Sequence, residues 1–355
     1  MTKMRKLKDL KIAVLFPSSI MGGHELMALT HIDRLYKKGV DINIFIPKDN
    51  AQMINYCIGK NRKYQLHNIC HKRFDIIHTF FNIGRLIKTR SYLKKLGIEY
   101  DEIVIVQGDI ELGSIFLRAA EHLNMNVVSY IPYAHSFKKM KSHLSLLKDI
   151  LSRKIYRICM RYITISTCFK DDLKCLNSSS EIKVMRNIIP NVPLSEIRGK
   201  GYCFLEDYKK VNILFPGRIS FRQKGHDIFI EALKCIERRE KVINVFFVGD
   251  GPDKNKLIKM CSNLPSFINI KFCGWINDLW VEGYKMDLVI IASRYEGVPL
   301  VMLEALRRNI PIIASSRDGM KDYLSESRTY MYKYEKDAAK ELSKKINAFL
   351  YSSCK

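Results

Sequence analysis

No run of 18 uninterrupted apolar residues occurs, so the sequence offers no candidate membrane-spanning helix. Behind the basic stretch Met1–Lys8, the apolar run Ile12–Phe16 is shorter than the roughly 7 to 15 residues of a secretory core and reads as a first strand. Cysteine is scattered: none of the ten forms a CxxC pair, and several lie inside apolar runs. That pattern excludes a disulfide framework and suits reduced thiols in a cytosolic protein. Cys70 and His71 with nearby His67 group metal-ligating residue types, but they read as incidental loop residues rather than a metal site. No Asp-x-Asp sequence, zinc-module spacing, solenoid repeat or low-complexity tract is present.

Acidic residues are scarce. The chain carries 36 Asp and Glu against 60 Lys and Arg, a net charge of +24. Residues 1–200 hold 34 of the bases and 17 of the acids, whereas 201–355 hold 26 and 19. An acidic partner is therefore expected mainly at the N-terminal half: an anionic membrane surface, a phosphorylated acceptor or nucleic acid. Nucleic acid is the least supported of these, because no recognition-helix pattern or aromatic–basic stacking motif accompanies the charge.

The length of 355 residues and the 47% hydrophobic content suit two domains, each with its own core. Short β-rich runs alternate with helical patterns throughout. Candidate strands are 11–16, 40–46, 74–79, 102–106, 126–131, 161–166 and 181–186, then 211–216, 242–248, 268–273, 286–291 and 309–314. Near-continuous apolar strands separated by helix-length segments predict an α/β fold of two parallel sheets, each covered on both faces. Such sheets bind ligands at the carboxyl ends of their strands. The segment 187–210, with Pro190, Pro193, Gly199 and Gly201, reads as a linker. The boundary is set near 195, giving domains 1–195 and 196–355.

Two motifs in the second half carry chemistry. In the first, Phe215-Pro216-Gly217-Arg218 ends a strand, and Lys224-Gly225 opens the helical pattern Asp227–Leu233. A Gly-Arg turn with a lysine six residues on presents two cations and backbone N–H groups to one anion, for which a diphosphate is the natural guest. The second runs from Ser293 to Ala305. Gly297 permits close backbone approach, and Pro299 suits a first helical turn that leaves the N–H groups of Leu300 and Val301 open to phosphate oxygens. Glu296 before this helix and Glu304 within it offer carboxylates to separate parts of one hydroxyl-rich ligand.

Glu296 with seven residues to Glu304, preceded by Arg218…Lys224-Gly225 and by Val248-Gly249-Asp250-Gly251-Pro252, resembles the retaining GT-B glycosyltransferases of family 4 (glycosyl transferases group 1). The resemblance runs over about 211–325 and includes Gly274-Trp275, Ser293 and Pro311–Ser315. It implies two Rossmann-like domains with parallel sheets facing across a cleft, and a nucleoside-diphosphate sugar as donor substrate. No cofactor and no metal are implied. Arg218 and Lys224, at the Gly217 turn, are then expected to hold the diphosphate and stabilise its departing charge. Glu296 should meet the transferred sugar, Glu304 the ribose, and Gly274 and Trp275 the nucleobase, with Gly297, Leu300 and Val301 at the donor. Asn309 stands where the family usually has glycine, at a position of left-handed backbone that Asn tolerates. Arg317-Asp318-Gly319-Met320 replaces a more glycine-rich turn.

In the first half, Gly22 and Gly23 precede the helical pattern Leu26–Leu35 and resemble the family's glycine-rich first loop, which borders the donor phosphates. His135 follows the fifth candidate strand, where the family often has a histidine beside the reacting carbon. The spacing is shifted by Pro132-Tyr133-Ala134, and His24, His78 and His226 are rivals. Residues 138–161 interleave Lys and Arg with Leu and Ile as a basic amphipathic helix, with a smaller basic patch at 84–97. Such a helix packs its apolar stripe on the sheet, meets anionic lipid headgroups, or does both. The expected enzyme transfers a sugar to a glycan or lipid-linked acceptor in bacterial surface polysaccharide or lipopolysaccharide synthesis, peripheral on the inner face of the cell membrane. A nucleotide-sugar 2-epimerase of the same fold and a non-enzymatic basic binding protein are the alternatives.

Overall fold

Most of the candidate strands that proved to be strands are largely apolar, the edge strand at Glu181–Val184 being the clearest exception, and each lies in a parallel sheet. The structure is a computed structural model and describes residues 9–188, 209–237, 241–276, 279–280, 285–324, 329–333 and 337–352. The chain divides into two units, residues 1–188 and 189–355. The expected linker lies mostly outside the described residues, as does the boundary near 195.

In the first unit the strands are β1 (Lys11–Leu15), β2 (Asp41–Pro47), β3 (Tyr64–His67), β4 (Glu102–Val106), β5 (Val128–Tyr130), β6 (Arg161–Thr164) and β7 (Glu181–Val184). They pair in the order β3-β2-β1-β4-β5-β6-β7, all parallel, with Ile12 opposite Ile42 and Val14 opposite Val104. The order reverses between β1 and β4, the place where open α/β sheets leave a ligand crevice. Helix α1 (Gly23–Lys37) follows β1. Its N-terminus is tied by Glu25, whose carboxylate accepts the Gly22 N–H at 3.0 Å. Later helices are α2 (Ala51–Gly59), α3 (Asp75–Phe81), α4 (Ile83–Glu99), α5 (Ser114–His122), α6 (Ser145–Ile158) and α7 (Thr167–Leu176).

Two expectations are corrected in this unit. The run 74–79 is not a strand but α3. Six residues of mixed apolar character cannot separate a buried strand from a short buried helix, and tertiary contacts settle it here. Asp75, buried in the first turn, pairs with Arg85 and His71, while Ile76 and Thr79 face the interior. The third strand is instead the polar edge segment Tyr64–His67. The basic stretch 138–161 is helical only over Ser145–Ile158, and its last residue, Arg161, begins β6.

The second unit holds β8 (Lys210–Pro216), β9 (Val242–Val248), β10 (Ile268–Gly274), β11 (Leu288–Ile291), β12 (Ile312–Ser315) and β13 (Thr329–Tyr332). They pair in the order β10-β9-β8-β11-β12-β13, all parallel, with β13 an unforeseen edge strand. Helices α8 (Phe221–Lys224), α9 (His226–Lys234), α10 (Lys254–Cys261), α11 (Leu300–Arg307) and α12 (Ala338–Ser352) accompany them. Phe215, Phe229, Phe247, Leu288, Ile290 and Phe349 belong to one fully buried cluster between sheet and helices. No helix among the described residues is long and apolar enough to cross a membrane.

Candidate active site

Most of the residues singled out in the second unit stand in loops at carboxyl ends of parallel strands, with Glu304 inside the helix that follows one of them. Gly217 and Arg218 follow β8, Gly249 follows β9, Gly274 closes β10, Ser293–Pro299 follows β11, and Asp318 comes after β12. Strand order reverses between β8 and β11, so the loops 217–224 and 293–300 flank the crevice of this sheet.

Across that crevice Lys224 Nζ pairs with Glu296 Oε1. Gln223 Nε2 donates to Glu296 Oε2 at 3.2 Å, and the Glu296 backbone N–H donates to Asp318 Oδ2 at 2.9 Å. Glu296 is buried; an ionised carboxylate there needs its lysine. The Lys224 side chain lies over the Gly217 turn, where a Cβ on Gly217 would stand 3.2 Å from Lys224 Cε. Beside it Arg218 is exposed and makes no ion pair among the described residues. The site thus holds one cation already matched by a carboxylate and a second facing solvent.

The loops are held at backbone distance. Gly249 has φ +134°, and a Cβ there would fall 2.2 Å from the Gly217 carbonyl oxygen. Gly225 has φ +71° and its Cβ would fall 2.1 Å from the Ala292 carbonyl oxygen. Both loops therefore require glycine to close up. Arg294 fastens the same region with a bidentate pair to Asp227, at 2.8 and 2.6 Å, and with a bond to the Phe221 carbonyl. This brace was not foreseen, although Arg294 lies inside the second motif.

Helix α11 starts at Leu300, with Pro299 as its N-cap rather than its first helical residue. The N–H groups of Met302 and Leu303 bond to the Pro299 carbonyl, whereas those of Leu300 and Val301 have no acceptor among the described residues. One turn further in, Glu304 Oε2 accepts from Trp280 Nε1 at 2.9 Å, and the Arg308 guanidinium lies 4.6 Å above the Trp280 ring. Trp280 is the site residue that sequence reasoning missed; a contact over 24 positions leaves no local signal. Trp275 is 78% exposed, and Gly274 accepts the Gly249 N–H at 2.7 Å. Asn309 has φ 55°, as expected for its position.

In the first unit Gly22 and Gly23 stand at the start of α1, exposed, after β1. His135 follows β5 in a buried aromatic pocket, 5.1 Å from the Tyr133 ring and 5.3 Å from Phe169, with Lys139 Nζ 3.1 Å from its Nδ1. Two rivals are packing residues. His226 is fully buried against Phe215 and Phe247, and burial, helped by the Lys224 charge, pushes its pKa down to about 3. His24 stacks on Tyr130 at 4.9 Å, and burial lowers its pKa to about 3. His67, Cys70 and His71 turn to separate partners, namely the Phe16 carbonyl, Asp49 and Asp75.

The glycosyl transferases group 1 family model matches residues 204–353. An uncharacterized glycosyltransferase of Haemophilus influenzae is 22% identical over 297 residues, 82% of this chain and 76% of that protein. A UDP-Gal:alpha-D-GlcNAc-diphosphoundecaprenol alpha-1,3-galactosyltransferase of Escherichia coli is 24% identical over 87% of this chain and 80% of its own length. The structure of Anabaena HepE in complex with UDP and glucose superposes with a TM-score of 0.71 at 17% identity, covering 97% of this chain and 91% of that one. The chain is therefore a glycosyltransferase of the GT-B fold that carries a glycosyl transferases group 1 domain in residues 204–353.

Proposed function

We propose that the protein is a retaining, metal-independent transferase of family 4 that moves a sugar from a nucleoside-diphosphate sugar to a hydroxyl of a lipid-linked glycan. The observation that carries this reading is the Lys224–Glu296 pair at the strand-order switch, with Arg218 exposed beside it. Arg218, Lys224 and the open N–H groups of Leu300 and Val301 supply the positive field that a departing diphosphate requires. Glu296 takes the sugar hydroxyls, and Glu304, held by Trp280, takes the ribose. The acceptor hydroxyl adds to the anomeric carbon on the face the diphosphate leaves. The carbon–phosphate oxygen bond breaks as the new glycosidic bond forms, and the hydroxyl proton passes to the departing phosphate. No covalent intermediate with the protein is formed. His135 and the Gly22-Gly23 loop are assigned to the sugar and donor phosphates.

Two names among the relatives support the substrate classes: one protein binds UDP and glucose, and another is named for a UDP-sugar donor and a diphosphoundecaprenol acceptor. By that analogy the protein works at the cytoplasmic face of a bacterial membrane in surface polysaccharide or lipopolysaccharide synthesis. A thermal-shift screen of UDP, GDP, ADP and CMP with their sugar conjugates, without added metal, tests the donor. A rise in melting temperature with one nucleotide family, lost in Glu304→Ala, is expected; no rise with any of them at millimolar concentration would overturn the assignment. Release of free nucleoside diphosphate only when acceptor is present separates transfer from 2-epimerisation.

A further inference from the structure

Arg317-Asp318-Gly319-Met320 stands where a more glycine-rich turn is expected, and the backbone gives a reason for that expectation. Asp318 has φ 49°, the left-handed region that glycine enters freely and a residue with a Cβ enters under strain. The turn is held in this geometry from both sides. The Arg317 N–H donates back to the Ser315 carbonyl at 2.7 Å, at the end of β12, and Met320 beyond it is fully buried. A strained residue where glycine would fit persists when its side chain does something that glycine does not.

The Asp318 side chain meets the loop that carries Glu296. Its Oδ2 accepts the Glu296 backbone N–H at 2.9 Å. The start of the same loop is tied separately, by Ser315 Oγ donating to the Ser293 carbonyl and by the Arg294 N–H donating to the Gln223 carbonyl, each at 2.7 Å. The Asp318 bond holds Glu296 itself, and the next residue is Gly297, which has no side chain to pack. Backbone N–H and side chain leave from the same residue, so fixing the one sets the direction of the other. Lys224 and Gln223 also hold the Glu296 carboxylate. Lys224 is the partner that a diphosphate would draw away, whereas the bond to Asp318 does not depend on Lys224.

We propose that Asp318 is a positioning residue for the transferred sugar. Its carboxylate fixes the Glu296 backbone, so that the Glu296 carboxylate stays aimed at the sugar hydroxyls once Lys224 has turned to the diphosphate. The proposal rests on the assignment of Glu296 to the sugar in the preceding section. It separates stability from function at one position. Glycine there relieves the strain and drops the anchor, whereas asparagine tolerates the left-handed region and keeps an oxygen to accept the N–H.

Wild type, Asp318→Gly and Asp318→Asn are compared. Magnetic resonance with isotopic labelling of glutamate nitrogen reads the anchor directly, through the Glu296 amide. In wild type this amide is expected downfield and slow to exchange with solvent. In Asp318→Gly it should move upfield and exchange about tenfold faster or more, and in Asp318→Asn it should stay close to wild type. Melting temperatures should agree within about 3 °C, because relief of strain and loss of one hydrogen bond oppose each other. Binding is measured for UDP, GDP, ADP and CMP, each alone and as its common sugar conjugate. Asp318→Gly is expected to bind the bare nucleotide as wild type does and to lose about tenfold in affinity for the sugar conjugate. Asp318→Asn should restore most of that loss.

A Glu296 amide that exchanges freely in wild type, or that is unchanged in Asp318→Gly, would overturn the proposal. So would a melting temperature of Asp318→Gly that falls in step with its binding, the mark of a structural role alone. The amide keeps the two readings apart. If it responds as expected while wild type binds no nucleotide, the transferase reading fails and the anchor remains. If wild type prefers a sugar conjugate and Asp318→Gly keeps the same preference, only the positioning role fails.

Discussion

Among single residues, Lys224 and Glu296 are interdependent, and their variants should show it. Lys224→Ala leaves the buried Glu296 carboxylate with a neutral Gln223 and no cation. It should lower stability by about 3 kcal/mol and transfer by about 100-fold or more. Glu296→Ala should match that loss of transfer with a smaller loss of stability, because Lys224 is only half-buried and reaches water. Equal melting temperatures and wild-type rates in either variant would remove the pair from the site. Trp280→Phe keeps the ring beneath Arg308 but deletes the N–H that holds Glu304. It should weaken nucleoside-diphosphate binding, read as a smaller thermal shift, with little effect on the unliganded melting temperature.

His226 makes a pH-dependent contribution. Its folded pKa of about 3 lies below the ordinary 6.5, so between those values the unfolded chain binds the extra proton. The stability from a neutral His226 is complete above about pH 6.5 and drains away as pH falls toward 3. Between pH 7 and pH 5 the loss is about 2 kcal/mol. Denaturant titrations at both pH values should show that slope in wild type and a shallower one in His226→Asn.

At the level of elements, the glycine loops set the tolerance of the site. Gly249→Ala would force a Cβ into the Gly217 carbonyl oxygen and should cost about 3 kcal/mol with a parallel fall in transfer. Legibility in the sequence followed physical rules at this scale. Strands such as Lys210–Pro216 and Val242–Val248 announced themselves because a parallel strand buried on both faces must be apolar throughout. Tyr64–His67 and Thr329–Tyr332 did not, because edge strands carry no such requirement. The run at 74–79 misled because its apolar residues serve a helix of about two turns whose start is fixed by a left-handed Phe74. In the site, the motif residues were legible because local spacing places them at strand ends. Trp280 with Glu304, Arg294 with Asp227, and Asp318 beneath Glu296 were not, since each depends on two segments meeting in space.

For the whole molecule, the surplus of 24 positive charges acts on stability as well as on partners. Self-repulsion of that surplus is expected to exceed what the surface ion pairs return, so screening should stabilise the fold. Raising ionic strength from about 0.05 to 0.3 M is expected to add about 1 kcal/mol, a rise in melting temperature of about 2–4 °C; a fall would mean that ion pairs dominate instead.

Without its donor, the protein already contains an anion for Lys224, namely its own Glu296. On the proposed reading, an entering diphosphate would displace an internal tenant rather than occupy a vacant cation. Once Lys224 turns to phosphate, Glu296 is a buried carboxylate seeking donors, and the hydroxyl groups of a bound sugar are the donors at hand. A complete nucleotide sugar satisfies both partners, whereas a bare nucleoside diphosphate satisfies one and strands the other. Under the proposed donor assignment the ion pair would act as a comparator, favouring the loaded donor over the spent one and easing the spent nucleotide out as lysine and glutamate re-form their bond.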